Sequence, residues 1–180
     1  MESLRIRLTK QMIQNGLLEM LEKEMIEKIS ITELCQRAQV NRTTFYKYYG
    51  SQYDVIEDII DNLFQELVEI GKDYNTSNLF QNEILKYLEK NKTLCVTLID
   101  RVPFNMFSKR LIEMDQLNQK TIDSFSDEYS DKQKEYLLRY YQNGCFALMS
   151  SWLHDENPMP IAELQELSKN ISKNIMFRKQ

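Results

Sequence analysis

The chain has 180 residues, of which 42% are hydrophobic and 28% are charged, as is usual for a soluble globular protein. A chain of this length has room for one domain or for two closely packed ones. Its 4 glycines and 3 prolines are too few for a β-sandwich or a long linker, and no apolar run approaches the roughly 20 residues of a membrane helix. The N-terminus lacks the order of a signal peptide, so we expect a helical protein that stays in the cytoplasm.

The net charge of −4 is unevenly distributed along the chain. Residues 1–50 carry 8 Lys and Arg against 6 Asp and Glu, a net of +2, whereas residues 51–180 carry 15 against 21, a net of −6. This distribution permits a local cationic face that binds nucleic acid, although a charge of +2 alone is weak support. For Arg5, Arg7 and Lys10, which crowd the first predicted helix, a phosphate contact and a merely solvated helix face are equally expected.

The residues typical of catalysis or metal binding are sparse. Cys35, Cys95 and Cys145 are far apart, so we expect three buried small hydrophobic side chains and neither disulfides nor a zinc site. The single histidine, His154, lies at a predicted helix end, where a contact with terminal carbonyl groups is its expected role. Because the chain has no phosphate-binding glycine loop and no nucleophile motif, the sequence predicts no enzyme, no cofactor and no metal.

The first 50 residues predict three helices and two tight connections. Apolar periodicity predicts a helix from Leu4 to Met25, and a capping box from Ser30 to Glu33 begins a short second helix. Asn41 is a favoured N-cap for a third short helix over 42–49, and Gly50 is expected to end that helix in a left-handed conformation. Two short helices joined by a tight turn and packed on a longer one form a helix-turn-helix, which places one helix in the DNA major groove.

The rest of the chain predicts further helices. A long fourth helix begins at Ser51 and Asp54, and the polar segment 73–78 is the expected boundary after it. The later helices are predicted over 79–90, 93–101, 104–127, 131–155 (with a capping box at Ser130) and 161–176. The predicted fold is therefore all-α, with three parts in chain order: a helix-turn-helix DNA-binding domain over 1–50, a connecting helix over 51–72, and a helical dimerisation and regulatory domain over 73–180.

The side chains of the second and third helices carry a more specific signal. The segments Ile31-Thr32-Glu33-Leu34-Cys35 and Ala38-Gln39-Val40-Asn41-Arg42-Thr43-Thr44-Phe45-Tyr46-Lys47-Tyr48-Tyr49 resemble the DNA-binding signature of the tetracycline-repressor (TetR) family. The resemblance covers residues 5–65 closely. The residues that it implies for DNA binding are Thr9, Thr32, Arg42, Thr43, Thr44, Tyr46, Lys47 and Tyr48.

The resemblance implies a role for each of these side chains. Phe45 fills the core of the helix-turn-helix, while Tyr46 and Tyr48 lie against the DNA backbone. Arg42 contacts either a phosphate or the edge of a guanine. Phosphates are also expected at two threonines near helix starts, where amide groups attract anions: Thr9 and Thr32. The side chains expected to face bases are Thr43, Thr44 and Lys47.

Two positions depart from the family pattern. Gln39 stands where a glycine is usual in the turn, which bears on the backbone geometry of that turn. Gln52 stands where a lysine is usual in the first turn of the fourth helix. The loss of that cation removes one phosphate contact per subunit.

The C-terminal part is rich in methionine and aromatic residues, most of which are expected to be core. The resemblance implies that this part dimerises through two late helices and encloses an effector pocket. We expect the dimer interface over 104–127 and 131–155, because Gly144 and Ala147 allow close helix approach. The residues expected at an apolar effector pocket are Tyr87, Met106, Phe107, Tyr140, Phe146 and Met149. A protein partner in place of a small-molecule effector is the alternative.

The sequence therefore predicts a TetR-type transcriptional regulator that binds double-stranded DNA at an inverted-repeat operator as a homodimer. Repression is the expected sign of regulation, with release by a small-molecule effector. The alternative is a helical coactivator or adaptor of the same fold that acts through a protein partner.

Overall fold

The structure, a computed structural model, describes residues 4–72, 82–113, 121–123, 125 and 127–176. These residues form helices and turns and no strand, which confirms the predicted all-α fold class. The elements are α1 (Leu4–Leu21), a short 3₁₀ turn (Ile26–Lys28), α2 (Ile31–Arg37), α3 (Arg42–Tyr46), α4 (Gln52–Lys72), α5 (Asn82–Lys90), α6 (Lys92–Arg101), α7 (Phe104–Glu113), α8 (Asp131–His154) and α9 (Ile161–Met176).

The chain divides into two compact units. The first comprises residues 1–64 and 97–106, and the second comprises 65–96 and 107–180. The first unit contains α1, α2, α3 and the first part of α4. The three-part division expected from the sequence stays a prediction, and its boundary at 73–78 lies outside the described residues.

The core of the first unit forms where α1 packs against α2 and α2 packs against α3. Its fully buried side chains include Ile13, Leu17, Leu21, Ile26, Leu34, Phe45, Ile56 and Ile60. Burying one such side chain contributes about 1.5–3 kcal/mol, so this apolar cluster is the main source of the unit's stability. Gly16 lets α1 come close to the corner between α2 and α3, because a Cβ there would lie only 3.2 Å from the Cβ of Ala38.

Local caps determine where several helices begin. Ser30 Oγ accepts the N–H of Glu33 at 3.2 Å, and the Glu33 carboxylate accepts the N–H of Ser30 at 3.3 Å. The same reciprocal pair joins Ser130 and Gln133 at the start of α8. Both predicted capping boxes are therefore confirmed.

The sequence predictions for the end of α3 are wrong. α3 ends at Tyr46 rather than at Tyr49, and Gly50 does not have a positive φ. The chain turns directly into α4 instead, and the Asp54 carboxylate accepts the Gly50 N–H at 2.7 Å. Of the helix predicted over 104–127, the described residues Phe104–Glu113 and 121–123 are helical, whereas residue 125 is a bend and 127–128 form a turn, so the predicted end at 127 is wrong.

The second unit has its own apolar core. α5 packs against α9, and the buried side chains include Leu85, Phe107, Leu111, Trp152 and Leu164. Within the described part of the chain, no helix is long and apolar enough to cross a membrane.

Polar side chains help to join the helices of this unit. The buried amide of Gln142 on α8 donates to the carbonyl oxygen of Leu111 at 2.7 Å, and the Trp152 indole donates to the carbonyl oxygen of Met159 at 2.7 Å. Each bond gives a buried donor its acceptor. Without that acceptor, the buried polar group would destabilise the fold.

The cysteines and the histidine lie as predicted. Cys35, Cys95 and Cys145 are free and buried. Nδ1 of His154 lies 2.7 Å from the carbonyl oxygen of Ser150 in the last turn of α8.

Candidate nucleic-acid interface

The turn between α2 and α3 keeps its left-handed backbone although it lacks a glycine. Gln39 has a φ of 55°, the region that glycine adopts most easily. Asn41 then caps α3, since its Oδ1 accepts the N–H of Thr44 at 2.7 Å. The predicted N-cap is confirmed, and Gln39 adopts the left-handed conformation that glycine usually provides in such a turn.

One side of α3 anchors the helix in the first unit. Phe45 is fully buried, as predicted. The ring of Tyr46 meets it edge-on with centroids 5.5 Å apart, and the ring of Tyr49 lies 6.0 Å from it. Aromatic pairs of this geometry stabilise by about 0.5–1.5 kcal/mol beyond their buried area. The aromatic cluster therefore fixes which face of α3 points outward.

The outward side of α3 and of the turn directly after it carries polar side chains. Thr43 and Lys47 are exposed, and Thr44 and Tyr48 are half-buried. The ammonium group of Lys47 lies 5.6 Å from the centroid of the Tyr48 ring, a cation–π contact that keeps the lysine beside the tyrosine. We term residues 42–48 the recognition segment.

Arg42 is held at the start of the recognition segment by two neighbours. Its Nη1 donates to Thr32 Oγ1 at 3.4 Å, and its Nη2 donates to the Tyr46 hydroxyl at 3.3 Å. The guanidinium carbon also lies 5.8 Å from the centroid of the Tyr46 ring. The structure thus brings Thr32, Arg42 and Tyr46 together on one exposed surface.

Cys35 lies behind this surface. Burial raises the pKa of the Cys35 thiol, while the positive charge of Arg42 acts in the opposite direction. A thiol with a raised pKa stays protonated at neutral pH, so Cys35 behaves as a core side chain rather than as a nucleophile.

The polar residues of α1 point in different directions. Thr9 donates its hydroxyl hydrogen to the Arg5 carbonyl oxygen at 2.9 Å within its own helix. Arg5 and Arg7 are exposed. Lys10 instead pairs with Asp58 of α4, with Nζ 3.4 Å from Oδ2. This ion pair holds Lys10 against α4. Lys10 therefore differs from Arg5 and Arg7, with which the sequence grouped it as a phosphate contact or a solvated side chain.

Three residues to which the sequence pattern assigns no role form one hydrogen-bonded group with Lys10 in the first unit: Gln14, Tyr49 and Asp58. The local sequence offers only two adjacent acidic residues, Glu57 and Asp58, between the apolar residues Ile56 and Ile59 of α4. Tyr53, at the start of α4, is an exposed aromatic residue outside the family signature.

The residues expected at an effector pocket are spread over several helices. Phe107 is buried and Phe146 half-buried, with ring centroids 5.6 Å apart, and Met149 is half-buried on α8. Tyr87 is half-buried, and its hydroxyl donates to the Glu66 carboxylate at 2.7 Å. Burial and this bond raise the pKa of Tyr87. The structure therefore brings Phe107 and Phe146 together.

The other two residues of this set lie elsewhere. Tyr140 is exposed on α8, and Met106 belongs to the first unit. Among the described residues, no group of three His, Cys, Asp or Glu side chains is placed to hold a metal ion.

Comparison with known families decides the class of protein. The TetR model described as a transcriptional regulator C-terminal region matches residues 75–174, more than half of the chain. The chain belongs to the TetR family of transcriptional regulators. The match lies in the C-terminal part, whereas the resemblance of the DNA-binding signature lies over 5–65. Two different segments of this TetR-family regulator therefore support the same family assignment.

Two curated relatives are also regulators. The regulator is 29% identical over 142 residues to the HTH-type dhaKLM operon transcriptional activator DhaS of Lactococcus lactis, an alignment that covers 74% of this chain and 73% of that protein. It is 21% identical over 153 residues to the uncharacterized HTH-type transcriptional regulator YxbF of Bacillus subtilis. That alignment covers 80% of this chain but only 39% of YxbF.

Two solved structures support the fold. A TetR transcriptional regulator from Streptococcus agalactiae superimposes with a TM-score of 0.73 at 20% identity, covering 93% of this chain and 95% of that one. The dihydroxyacetone kinase operon activator DhaS superimposes with a TM-score of 0.57 at 23% identity, covering 93% and 96%. The fold of this TetR-family regulator is thus that of known transcriptional regulators.

Proposed function

We propose that this regulator binds duplex DNA at an inverted-repeat operator as a homodimer, with the recognition segment of each subunit in the major groove. The observation that carries the proposal is the two-sided character of α3. Phe45 is fully buried, while Thr43 on the same short helix and Lys47 directly after it are exposed. A helix anchored on one side and polar on the other meets the requirement for a recognition helix.

The exposed side chains suit the chemistry of a DNA groove. Lys47 carries a charge for a phosphate or an acceptor on a base edge, and Thr43 donates, accepts and offers a methyl group to thymine. Tyr46 and Tyr48 flank them with hydroxyl groups, which we assign to the DNA backbone. We assign Arg42 to the same interface, because Thr32 and Tyr46 already hold its guanidinium group in place.

A homodimer is proposed because α8 and α9 expose residues suited to helix packing. Tyr136 and Tyr140 on α8 are 63% and 67% exposed, and a Cβ at Gly144 would meet no atom within 4 Å. On α9, Leu167 and Ile171 are exposed apolar side chains. Exposed aromatic and apolar residues next to small ones are typical of a subunit interface.

The proposed interface therefore keeps α8 and takes α9 in place of the expected segment 104–127. α8 and α9 contact each other through Tyr141 and Ser172, whose hydroxyl oxygens are 3.3 Å apart. A two-fold pairing of both helices gives a four-helix contact. We propose that this dimer reads two half-sites about one turn of DNA apart, roughly 34–36 Å.

The sign of regulation and the effector are finer proposals. Repression by blocking polymerase stays a prediction, and the name of the relative DhaS, an operon activator, favours activation. For the effector we propose an apolar ligand beside Phe107 and Phe146, supported by their ring contact. A ligand that stabilises the protein in a thermal-shift screen and changes operator affinity supports this site, whereas stabilisation without any effect on DNA binding contradicts it.

DNA binding is tested by fluorescence anisotropy on duplexes from the DNA upstream of the protein's own operon. The Arg42→Ala/Lys47→Ala double variant is expected to bind at least tenfold more weakly than the wild type, the equivalent of about 1.4 kcal/mol. The matched control is Lys86→Ala/Lys90→Ala, which removes two cations from α5. Equal DNA affinity of the wild type and the double variant would contradict DNA binding through the recognition segment and would favour the adaptor alternative.

The dimer is tested by sedimentation velocity on Tyr140→Arg. This change places a charge in the centre of the proposed contact and is expected to shift the population toward monomer. Tyr53→Arg is the matched control, because it makes the same substitution at an exposed tyrosine of α4. A dimer that survives Tyr140→Arg at low micromolar protein contradicts the α8 contact.

A further inference from the structure

Four side chains of the first unit form one polar cluster, which we term the Asp58 network: Lys10, Gln14, Tyr49 and Asp58. The Tyr49 hydroxyl donates to Asp58 Oδ2 at 2.6 Å. Gln14 Nε2 donates to the same carboxylate oxygen at 3.1 Å and to the Tyr49 hydroxyl oxygen at 3.3 Å. Lys10 Nζ lies 3.4 Å from Asp58 Oδ2 and 5.6 Å from the centroid of the Tyr49 ring.

The network joins three separate segments. Lys10 and Gln14 lie on α1, Tyr49 directly follows the recognition segment, and Asp58 lies on α4. Because the Asp58 oxygen accepts from all three partners, a shift of any one segment stretches bonds to the other two.

We propose that the Asp58 network positions the recognition segment relative to α1 and α4, and that this positioning determines how well the regulator discriminates its operator from other DNA. The proposal rests on the proposed function, since it assigns a role to residues behind the same interface. None of the four side chains is itself assigned to a base or a phosphate.

Tyr49 is buried in the first unit. Its side chain is only 5% exposed, so water cannot fully replace a lost partner of its hydroxyl group. A buried donor left without an acceptor is destabilising, and a charged acceptor makes a stronger bond than a neutral one. The Tyr49 ring also lies 6.0 Å from the ring of Phe45, the anchor of α3. Hydrogen bonds that fix the position of Tyr49 therefore also restrict Phe45, and with it α3.

The link between α3 and α4 is fixed at two successive points. Only Gly50 and Ser51 separate Tyr49 from the first residue of α4. The Asp54 carboxylate accepts the Gly50 N–H at 2.7 Å, and Asp58, one helical turn later, accepts the Tyr49 hydroxyl. Two carboxylates on adjacent turns of α4 thus form hydrogen bonds with the two residues directly after the recognition segment.

The expected consequence is a loss of discrimination rather than of all DNA binding. Phosphate contacts come from long, flexible, charged side chains that tolerate a small tilt of the helix, and they supply most of non-specific affinity. Contacts to base edges depend on exact donor and acceptor positions. A recognition segment that is free to tilt therefore loses operator affinity more than non-specific affinity.

The test uses the full chain and a duplex enriched by the wild type from a random DNA pool. Anisotropy gives Kd for that duplex and for a scrambled duplex at one salt concentration. Tyr49→Phe and Asp58→Ala are each expected to lower the ratio of the two affinities about tenfold, or about 1.4 kcal/mol. The double variant is expected to be no worse than Asp58→Ala alone, because Asp58→Ala already removes the bond that Tyr49→Phe breaks.

Two further variants sharpen the result. Glu57→Ala removes an exposed carboxylate from the same turn of α4 and is expected to leave the ratio unchanged. Asp58→Asn keeps an acceptor oxygen for Tyr49, so it is expected to retain more discrimination than Asp58→Ala. If Asp58→Ala does not fold by circular dichroism, Tyr49→Phe decides the question, because it removes only one hydroxyl group.

The outcomes separate the two proposals. A wild type that enriches no duplex contradicts the proposed function, and with it the role of the network in discrimination. A wild type that enriches a duplex, with Tyr49→Phe showing an unchanged ratio or equal losses on both duplexes, overturns the network's role alone. Additive losses in the double variant also overturn it.

Discussion

The backbone N–H of Val40 donates to the carbonyl oxygen of Cys35 over 3.0 Å, which closes the end of α2 around Gln39. The N–H of Gln39 donates to the Gln36 carbonyl oxygen at 3.2 Å, and Gln39 has a φ of 55°. These two bonds are the Schellman motif that ends many helices, usually with a glycine at the left-handed position. The turn of the helix-turn-helix therefore keeps its geometry at the expense of backbone strain in one glutamine.

Gln39→Gly is expected to raise the free energy of unfolding by about 0.5–1 kcal/mol, because glycine adopts a positive φ without a Cβ clash but gains freedom in the unfolded chain. Urea unfolding measures the change. The control is Gln36→Gly, within the regular part of α2, which is expected to lower the stability by about 1 kcal/mol. The explanation fails if both variants lose stability equally.

Asn41→Ala is expected to destabilise α3 by about 1 kcal/mol, because the N–H of Thr44 loses its acceptor. The same change is expected to weaken operator binding, since the recognition segment begins at this cap. Asn41→Ser retains an acceptor and is the control that should keep both stability and binding. Normal operator binding by a destabilised Asn41→Ala protein would contradict the link between cap and interface.

Lys47→Gln and Thr43→Val are expected to change different properties of DNA binding. If Lys47 contacts a phosphate, its loss weakens binding uniformly across sequences and reduces the salt slope by about one charge per subunit. Loss of the Thr43 hydroxyl is expected to change sequence preference with little effect on the salt slope. Measuring Kd at several salt concentrations on the enriched duplex and on its single-base variants separates the two. A Lys47→Gln protein with an unchanged slope and an altered preference would assign Lys47 to a base instead.

The buried thiols are expected to make stability fall at high pH. Burial raises the pKa of Cys145 to about 12 and that of Cys95 to about 11, against an ordinary value of 9.0. Above pH 9 the unfolded chain releases these protons while the folded chain keeps them, so the stabilising contribution is complete below pH 9 and is lost as pH rises toward the folded values.

Urea unfolding at about pH 8 and about pH 10 measures this loss. The Cys95→Ala/Cys145→Ala variant is the control, and its stability is expected to fall less over the same interval. Burial also raises the pKa of Tyr141, which adds a loss of the same sign in both proteins. Identical pH dependence of the two proteins would contradict the assignment to the thiols.

Local interactions made much of the interface predictable. The caps at Ser30 and Asn41 each join residues three apart in the chain, so a short stretch of sequence contains both partners. Phe45 was predicted to be buried from its place in the family signature. Gly50 was predicted wrongly, because a glycine permits a left-handed backbone without requiring it, and the nearby Asp54 favoured a direct turn into α4.

The amino-acid sequence by itself determined the all-α fold class, the helix starts with capping side chains and the polar surface of α3, because these depend on contacts within a few residues. Only the tertiary structure decided that Lys10 turns toward α4 and that Gln14, Tyr49 and Asp58 bond to one another. Gln14 and Asp58 are 44 residues apart, and Gln14 and Tyr49 are 35 apart. Such bonds form only after the apolar core has brought α1 and α4 together, so no local sequence pattern predicts them.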